Sequence, residues 1–173
     1  SKIESGKMTL SISCVSLKEI VEEIVGIVQP QINAKKQTFD VHIDNITTEE
    51  VLCDSVRLNQ VLLNLLSNAV KYTPEGGKIS MSMVETESPK GADYVRIETC
   101  VKDNGIGMTP EFLEKLYESY TRADSARVHK TEGAGLGMAI TKYIVDTMGG
   151  SIEVQSEVDY GTEFHITLDF EKV

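Results

Sequence analysis

The sequence predicts an α/β fold of two layers, one mixed sheet with its helices gathered on a single face. Three observations predict it. Short alternating apolar runs recur along the whole chain, three longer segments carry apolar residues at helical spacing, and the strand-like runs of the second half come in adjacent pairs joined by turn residues. With 173 residues, 40% of them hydrophobic, the chain has enough apolar surface for one compact domain with a core of its own.

Residues Met8 to Val15 alternate as MTLSISCV, with Met8, Leu10, Ile12 and Cys14 on one side, the pattern of a half-buried strand. Ser16 is placed to cap the next helix, with Glu19 completing a capping box and Ile20, Ile24, Ile27 and Val28 forming its apolar stripe. Pro30 inside that helix predicts a kink or a loosened turn. Thr38 to Ile43 and Val51 to Cys53 are further strands, and Asp54 caps a second helix. Thr73-Pro74-Glu75-Gly76-Gly77 ends that helix, and Lys78 to Thr86 and Tyr94 to Lys102 follow as neighbouring antiparallel strands. Thr109 and Pro110 signal a short helix to about Leu116. Glu118 to Glu132 has no clear period and is read as a loop or lid. A helix from Leu136 to Met148, closed by Gly149-Gly150, and a strand pair, Ser151 to Ser156 and Thr162 to Phe170, complete the chain.

The second helix is unusual. Apolar residues cover most of its circumference, Val56, Leu58, Val61, Leu62, Leu63, Leu65, Leu66, Ala69 and Val70, so it should be buried nearly all round. Against them Gln60, Asn64, Asn68 and Lys71 recur at spacings of four, four and three, which is one narrow polar stripe. Asparagine is a poor helix former, and a buried amide must find partners. Either these amides bond to neighbouring backbone in a satisfied core, or they face a ligand. An amide carbonyl suits Mg2+, which takes its other ligands from water and substrate phosphates, and Lys71 would add a point charge for the phosphates.

The net charge of −10 argues against a general nucleic-acid or anionic-membrane binder, so an anionic ligand would need local positive groups. No apolar run reaches membrane-spanning length. Cys14, Cys53 and Cys100 are odd in number and lack close spacing, which reads as buried thiols in a reducing cytoplasm. His42, His129 and His165 show no zinc-type spacing.

Asp103 follows a strand and precedes Gly105 and Gly107, in Asp103-Asn104-Gly105-Ile106-Gly107-Met108. A carboxylate accepts hydrogen bonds only, so it would welcome the exocyclic amino group of adenine and repel the O6 of guanine; a plain tight turn is the alternative. Gly133, Gly135 and Gly137 open a helix, where free amides favour phosphate. Their spacing misses the dinucleotide fingerprint, which weakens a dehydrogenase reading. The preceding loop holds Arg122, Arg127, His129 and Lys130, a set suited to a triphosphate or to ordinary solvation.

These motifs resemble a known family in order. DSVRLNQVLLNLLSNAVKYTPEGG is similar to the N box of sensor histidine kinases, VKDNGIGM to their G1 box, LYESYTRAD to their F box, GAGLGMAI to their G2 box, and YGTEF to their last glycine motif. The set runs from about Asp54 to Phe170 and resembles the catalytic, ATP-binding domain of such a kinase, in the superfamily shared with gyrase, Hsp90 and MutL. The resemblance implies a two-layer α/β sandwich of the Bergerat type.

It also implies that Asn68 coordinates Mg2+ with Asn64 beside it, and that Lys71 and Tyr72 lie near phosphate and sugar. Asp103 would hold the adenine amino group, Gly105 and Gly107 would shape the pocket, and Thr162 would complete the base contact through water. Gly133, Gly135 and Gly137, with Leu136 between them, would wrap the phosphates, and Arg122 would stabilise charge on the transferred phosphoryl group. Asn64, Lys71 and Arg122 form the implied catalytic set. Tyr117 and Tyr120 stand where the family usually has phenylalanines. ATP-hydrolysing relatives typically carry a glutamate at the place of Asn64; an amide has no basicity, so hydrolysis should be poor while transfer to an imidazole is not impeded.

The acceptor is expected elsewhere, because none of the three histidines has the family's helical setting. SKIESGKM resembles the end of a helical dimerisation domain, which assigns residues 1–7 to its linker and 8–173 to the catalytic ATP-binding domain. The implied partners are ATP, Mg2+, the dimerisation and phosphoacceptor domain of the same protein and a response regulator, in a homodimeric full-length protein. An ATP-hydrolysing clamp and a nucleotide-binding regulatory module remain the alternatives.

Overall fold

The computed structural model describes residues 3–4, 7–43, 45–116 and 134–173, with side chains for 9–43, 45–116 and 137–173. β1 (Ile3–Glu4) and β2 (Lys7–Met8) pair as a small antiparallel ribbon. The other strands are β3 (Ser13–Ser16), β4 (Thr38–His42), β5 (Glu50–Cys53), β6 (Lys78–Glu87), β7 (Tyr94–Asp103), β8 (Ser151–Glu157) and β9 (Gly161–Lys172), which form one sheet. Its order is β3-β5-β9-β7-β6-β4, with β8 also against β9. β4 and β6 run parallel and every other pair antiparallel, so the sheet is mixed.

Period-two alternation gives the sheet one dry face. Val95, Ile97, Thr99 and Val101 of β7 are buried, as are Ile79, Met81 and Met83 of β6 and Phe164, Ile166, Leu168 and Phe170 of β9. The helices α1 (Leu17–Ala34), α2 (Ser55–Tyr72) and α4 (Ala134–Thr147) cover that face, with α2 between the other two; α3 (Pro110–Lys115) is a short turn near the site. The caps are as expected, since Ser16 Oγ accepts from Glu19 N at 3.2 Å and Thr109 Oγ1 from Phe112 N at 3.0 Å. Asp54, 3% exposed, accepts from Arg57 N through Oδ1 and from Ser11 N through Oδ2, so one carboxylate caps α2 and holds the segment leading into β3.

Several expectations need correction. The alternating run Met8–Val15 is not one strand, and its inward parity is reversed: Val15 stands opposite Val51 and is buried, while Cys14 and Ile12 are exposed. β3 pairs only with β5, and that partner, not the local alternation, chooses the face. Cys14 is therefore not a buried thiol, although Cys53 is buried and Cys100 half-buried. α2 is not buried all round, since Val56 is 67% exposed. Pro30 lies inside α1 as expected, and its missing N–H leaves the Gly26 carbonyl without its helical donor. α4 starts at Ala134, two residues before the expected position, and closes through Gly149 at φ +77°, with Gly150 N donating to Val145 O.

The outer face of the sheet carries a bidentate pair. Arg96 and Asp169 are cross-strand partners, with Nε to Oδ1 and an Nη to Oδ2 both at 3.0 Å, and Ser88 Oγ adds a bond to Oδ1 at 2.9 Å. The Arg96 guanidinium first, and Ser88 further, hold the Asp169 carboxyl below its usual range. A lowered folded value means that its stabilisation is complete above the unfolded value of about 3.9 and is lost as pH falls through the folded one. Asp169→Asn is expected to lower Tm by roughly 2–4 °C near neutral pH, and the gap to wild type should close below about pH 3.9. Thermal melts of both proteins across pH check this.

Candidate functional site

Alternation along β7 continues past Val101, so Asp103 points to the helix side at the end of the strand. Its register partner on β9 is Thr162, which is on the same face. The chain after Asp103 is fastened to its neighbours. Asn104 N donates to Lys78 O and Asn104 Oδ1 accepts from Lys78 N at 2.8 Å, while Ile106 N donates to Tyr72 O at 3.1 Å, at the last residue of α2. Met108 N donates to Ser156 Oγ at 2.9 Å and Asp159 N to Ile106 O at 2.8 Å, which joins this loop to the β8–β9 turn.

The glycines allow these close approaches. A Cβ on Gly105 would come within 2.3 Å of Tyr72 O, and one on Gly107, at φ +73°, within 2.0 Å of Glu157 O. Gly161, at φ +117°, would place a Cβ 2.0 Å from Asp103 O.

Between α2, this loop, α3 and α4 lies a cavity of about 300 Å3. Ile106, Met108, Phe112, Leu116, Met138 and Phe164 give it apolar walls, and Asp103, Thr162, Asn68 and Tyr72 bring polar groups to it. A flat aromatic base with an amino edge fits this combination. Burial pushes the Asp103 carboxyl above its ordinary value, against the opposing hydrogen bonds from the backbone N–H groups of Gly105 and Thr162. Gly105 N reaches Asp103 Oδ1 at 2.9 Å. Ser156 Oγ donates to Gly161 O and shares a 2.8 Å bond with Thr162 Oγ1, which sets the hydroxyl next to the carboxylate.

The two asparagines of α2 differ. Asn64 Nδ2 donates to Thr141 Oγ1 at 3.2 Å and approaches Gly137 O at 3.5 Å, so its amide ties α2 to α4. Asn68 lines the cavity, and its side chain makes no hydrogen bond among the described residues. One turn on, Lys71 is exposed, with Nζ 5.3 Å from the centre of the Tyr72 ring.

Gly135, Leu136 and Gly137 form the first turn of α4, where backbone amides lack helical acceptors. A Cβ on Gly137 would meet nothing within 4 Å, so that position is not closed by steric contact. Asn68, Tyr72, Asp103, Gly107 and Thr162 thus share one cavity and Gly105 buttresses it, whereas Asn64 faces α4. Arg122 and Gly133, with Arg127, His129 and Lys130, lie outside the described residues.

Two residues that sequence reasoning missed hold the end of α2 in place. Gln37 Nε2 donates to Val70 O at 3.1 Å and Thr73 O at 2.7 Å, and Lys35 Nζ donates to Val70 O at 2.8 Å and Lys71 O at 3.3 Å. Together they satisfy carbonyls that a helix C-terminus leaves free, in the turn that presents Asn68, Lys71 and Tyr72. Their signal was faint, two polar residues ahead of a strand. Ser156 was equally silent.

Known proteins share the sequence and the fold of this chain. The chain is 33% identical over 172 residues to the sensor histidine kinase GacS of Pseudomonas protegens, a match covering 99% of this chain and 18% of that protein. The chain thus spans about a fifth of that curated relative. Among solved structures it is similar to full-length ShkA in complex with AMPPNP, at 27% identity and TM-score 0.75, covering 96% of this chain and 32% of that one. The catalytic domain of the histidine kinase ThkA, at 23% identity and TM-score 0.70 over 92% of this chain and 97% of that one, shares the fold. Residues 53–172 match the family described as histidine kinase-, DNA gyrase B-, and HSP90-like ATPase. With the mixed sheet, the helix layer and the cavity between α2 and Asp103 in place, the chain belongs to that family.

Proposed function

We propose that this domain binds Mg2+-ATP and transfers the γ-phosphoryl group to a histidine on a helical dimerisation domain of the same protein, for onward passage to a response regulator. The observation that carries the reading is the pairing of Asp103 with Thr162 at one end of an apolar cavity that Asn68 also lines. Asp103 accepts from the base amino group, and Thr162, oriented by Ser156, completes the base contact. Lys71 draws the phosphates toward the end of α2 as a point charge, and the first amides of α4 add donors. We assign Arg122 to the transferred group on the family resemblance alone.

Mg2+ fits the donor set, because Asn68 offers a neutral hard oxygen with no competing hydrogen bond among the described residues. When bound, the ion neutralises phosphate charge. Asn64 has no basicity and its amide is engaged with Thr141, so it does not activate water for hydrolysis. Among the described residues no helix is long and apolar enough to cross a membrane. We place the domain in the cytoplasm, as part of a homodimer.

The test mixes this domain with labelled ATP, Mg2+ and the histidine-bearing helical segment of the same protein. Acid-labile phosphate on histidine is the expected product. Sustained phosphate release without transfer would instead assign a hydrolytic clamp.

A further inference from the structure

The sheet face turned away from the helices carries three metal-ligating side chains where β7 meets β9. Cys100 and His165 are cross-strand partners, and Glu163, two residues before His165, shares their face. His165 Nε2 is hydrogen-bonded to Glu163 Oε2 and lies 4.0 Å from Cys100 Sγ, so one ring nitrogen meets both groups. The three ligand atoms all lie within 4.8 Å of one another. Each side chain is half-buried and stands on a regularly paired strand.

We infer that Cys100, Glu163 and His165 bind a divalent transition metal of the zinc class. Metal–ligand bonds of about 2.0–2.3 Å to sulfur, nitrogen and oxygen place the donor atoms of a tetrahedral ion roughly 3.3–3.7 Å apart, so Cys100 Sγ closes slightly on His165 Nε2 while the hydrogen-bonded Glu163–His165 pair opens to admit the ion. A thiolate, an imidazole and a carboxylate form a borderline-soft set that suits zinc and is unsuited to Mg2+. On binding, the Cys100 thiol releases its proton to solvent as Sγ bonds the ion, the His165 proton leaves Nε2 and the neutral imidazole keeps one at Nδ1 through exchange with water, and two metal bonds replace the Glu163–His165 hydrogen bond. Water takes the fourth position.

A plain polar cross-strand cluster accounts for the Glu163–His165 pair and for Lys102 Nζ, 3.9 Å from Glu163 Oε1. An S–H hydrogen bond from Cys100 belongs to such a cluster as well, and what points to an ion is the convergence of sulfur, nitrogen and carboxylate ligand atoms within 4.8 Å of one another. Lys102 stands at the other carboxylate oxygen with a largely exposed side chain, which leaves Oε2 to the ion. The metal ties β7 to β9 three residues from the Asp103–Thr162 pair, which makes it a cross-link between the two strands that end at the cavity.

Cobalt(II) is the probe, added to the untagged, reduced domain. A thiolate-to-cobalt absorption band in the near ultraviolet, at one ion per chain, is the expected result, with zinc displacing the cobalt and excess Mg2+ leaving it bound. Cys100→Ser should abolish the band and His165→Ala should weaken binding at least tenfold, while Cys14→Ser, at the exposed thiol, should change neither. Thermal melts confirm that each variant is folded, and Glu163→Gln, on the outer face of β9, gives a second ligand deletion expected to weaken binding. No band at excess cobalt, a band that survives Cys100→Ser, or one lost in Cys14→Ser overturns the assignment.

Discussion

Asn68→Ala is expected to abolish phosphoryl transfer and the Mg2+ dependence of ATP binding while leaving the domain folded. The separation follows from what the side chain does in the structure. Asn68 is half-buried, lines the cavity and makes no side-chain hydrogen bond among the described residues, so its removal strands no partner among them. Alanine is also the better helix former, by up to about 0.7 kcal/mol, which offsets the small loss of packing. Tm should therefore stay within roughly 2 °C of wild type, since about 1 kcal/mol corresponds to 2–4 °C for a chain of this size. Asn64 offers no such separation, because its amide bonds Thr141 and joins two helices. The measurements are single-turnover transfer to the helical segment and ATP titration across Mg2+ concentration. Wild-type transfer by the variant at ordinary Mg2+ would remove Asn68 from the metal site.

What the sequence disclosed, and what it hid, divides by the range of the interaction. The caps at Ser16, Asp54 and Thr109 are local, and the structure has all three where the residues place them. The parity of β7 is local as well, since alternation from Val95 to Val101 is unbroken and carries Asp103 inward. β3 is too short to declare its own face, and Val51 on another strand decides it. The cavity walls were hidden for a different reason. Met108, Phe112, Leu116 and Met138 are ordinary apolar residues whose spacing reads as core, and only the fold reveals that they enclose space. The pairing of Thr162 with Asp103 depends on register, and the resemblance supplied it where periodicity did not. Lys35 and Gln37 act across more than thirty residues on carbonyls, and no pattern in side chains announces a carbonyl.

Asp103→Asn is expected to weaken ATP binding ten- to a hundredfold, or roughly 1.5–3 kcal/mol, through loss of a charge-assisted hydrogen bond. The substitution keeps the shape and tests the charge. Asp103 Oδ1 accepts from Gly105 N, and an asparagine oxygen preserves that bond. Its other terminus then becomes an NH2 donor, which meets the amino group of adenine donor to donor. Burial already disfavours the carboxylate, and a neutral amide removes that cost, which offsets any weakening of the hydrogen bond from Thr162 N–H. The variant is thus expected to melt at or slightly above the wild-type temperature while binding ATP poorly, a combination that general damage to the fold does not produce. Selectivity should fall as well, since the carboxylate repels the O6 acceptor of guanine and the amide donates to it. Calorimetric titration with ATP and GTP, beside melts of the free proteins, reads all three quantities. Unchanged ATP affinity in a folded variant would take Asp103 out of the base contact, and the reading of the cavity as an adenine pocket would fail with it.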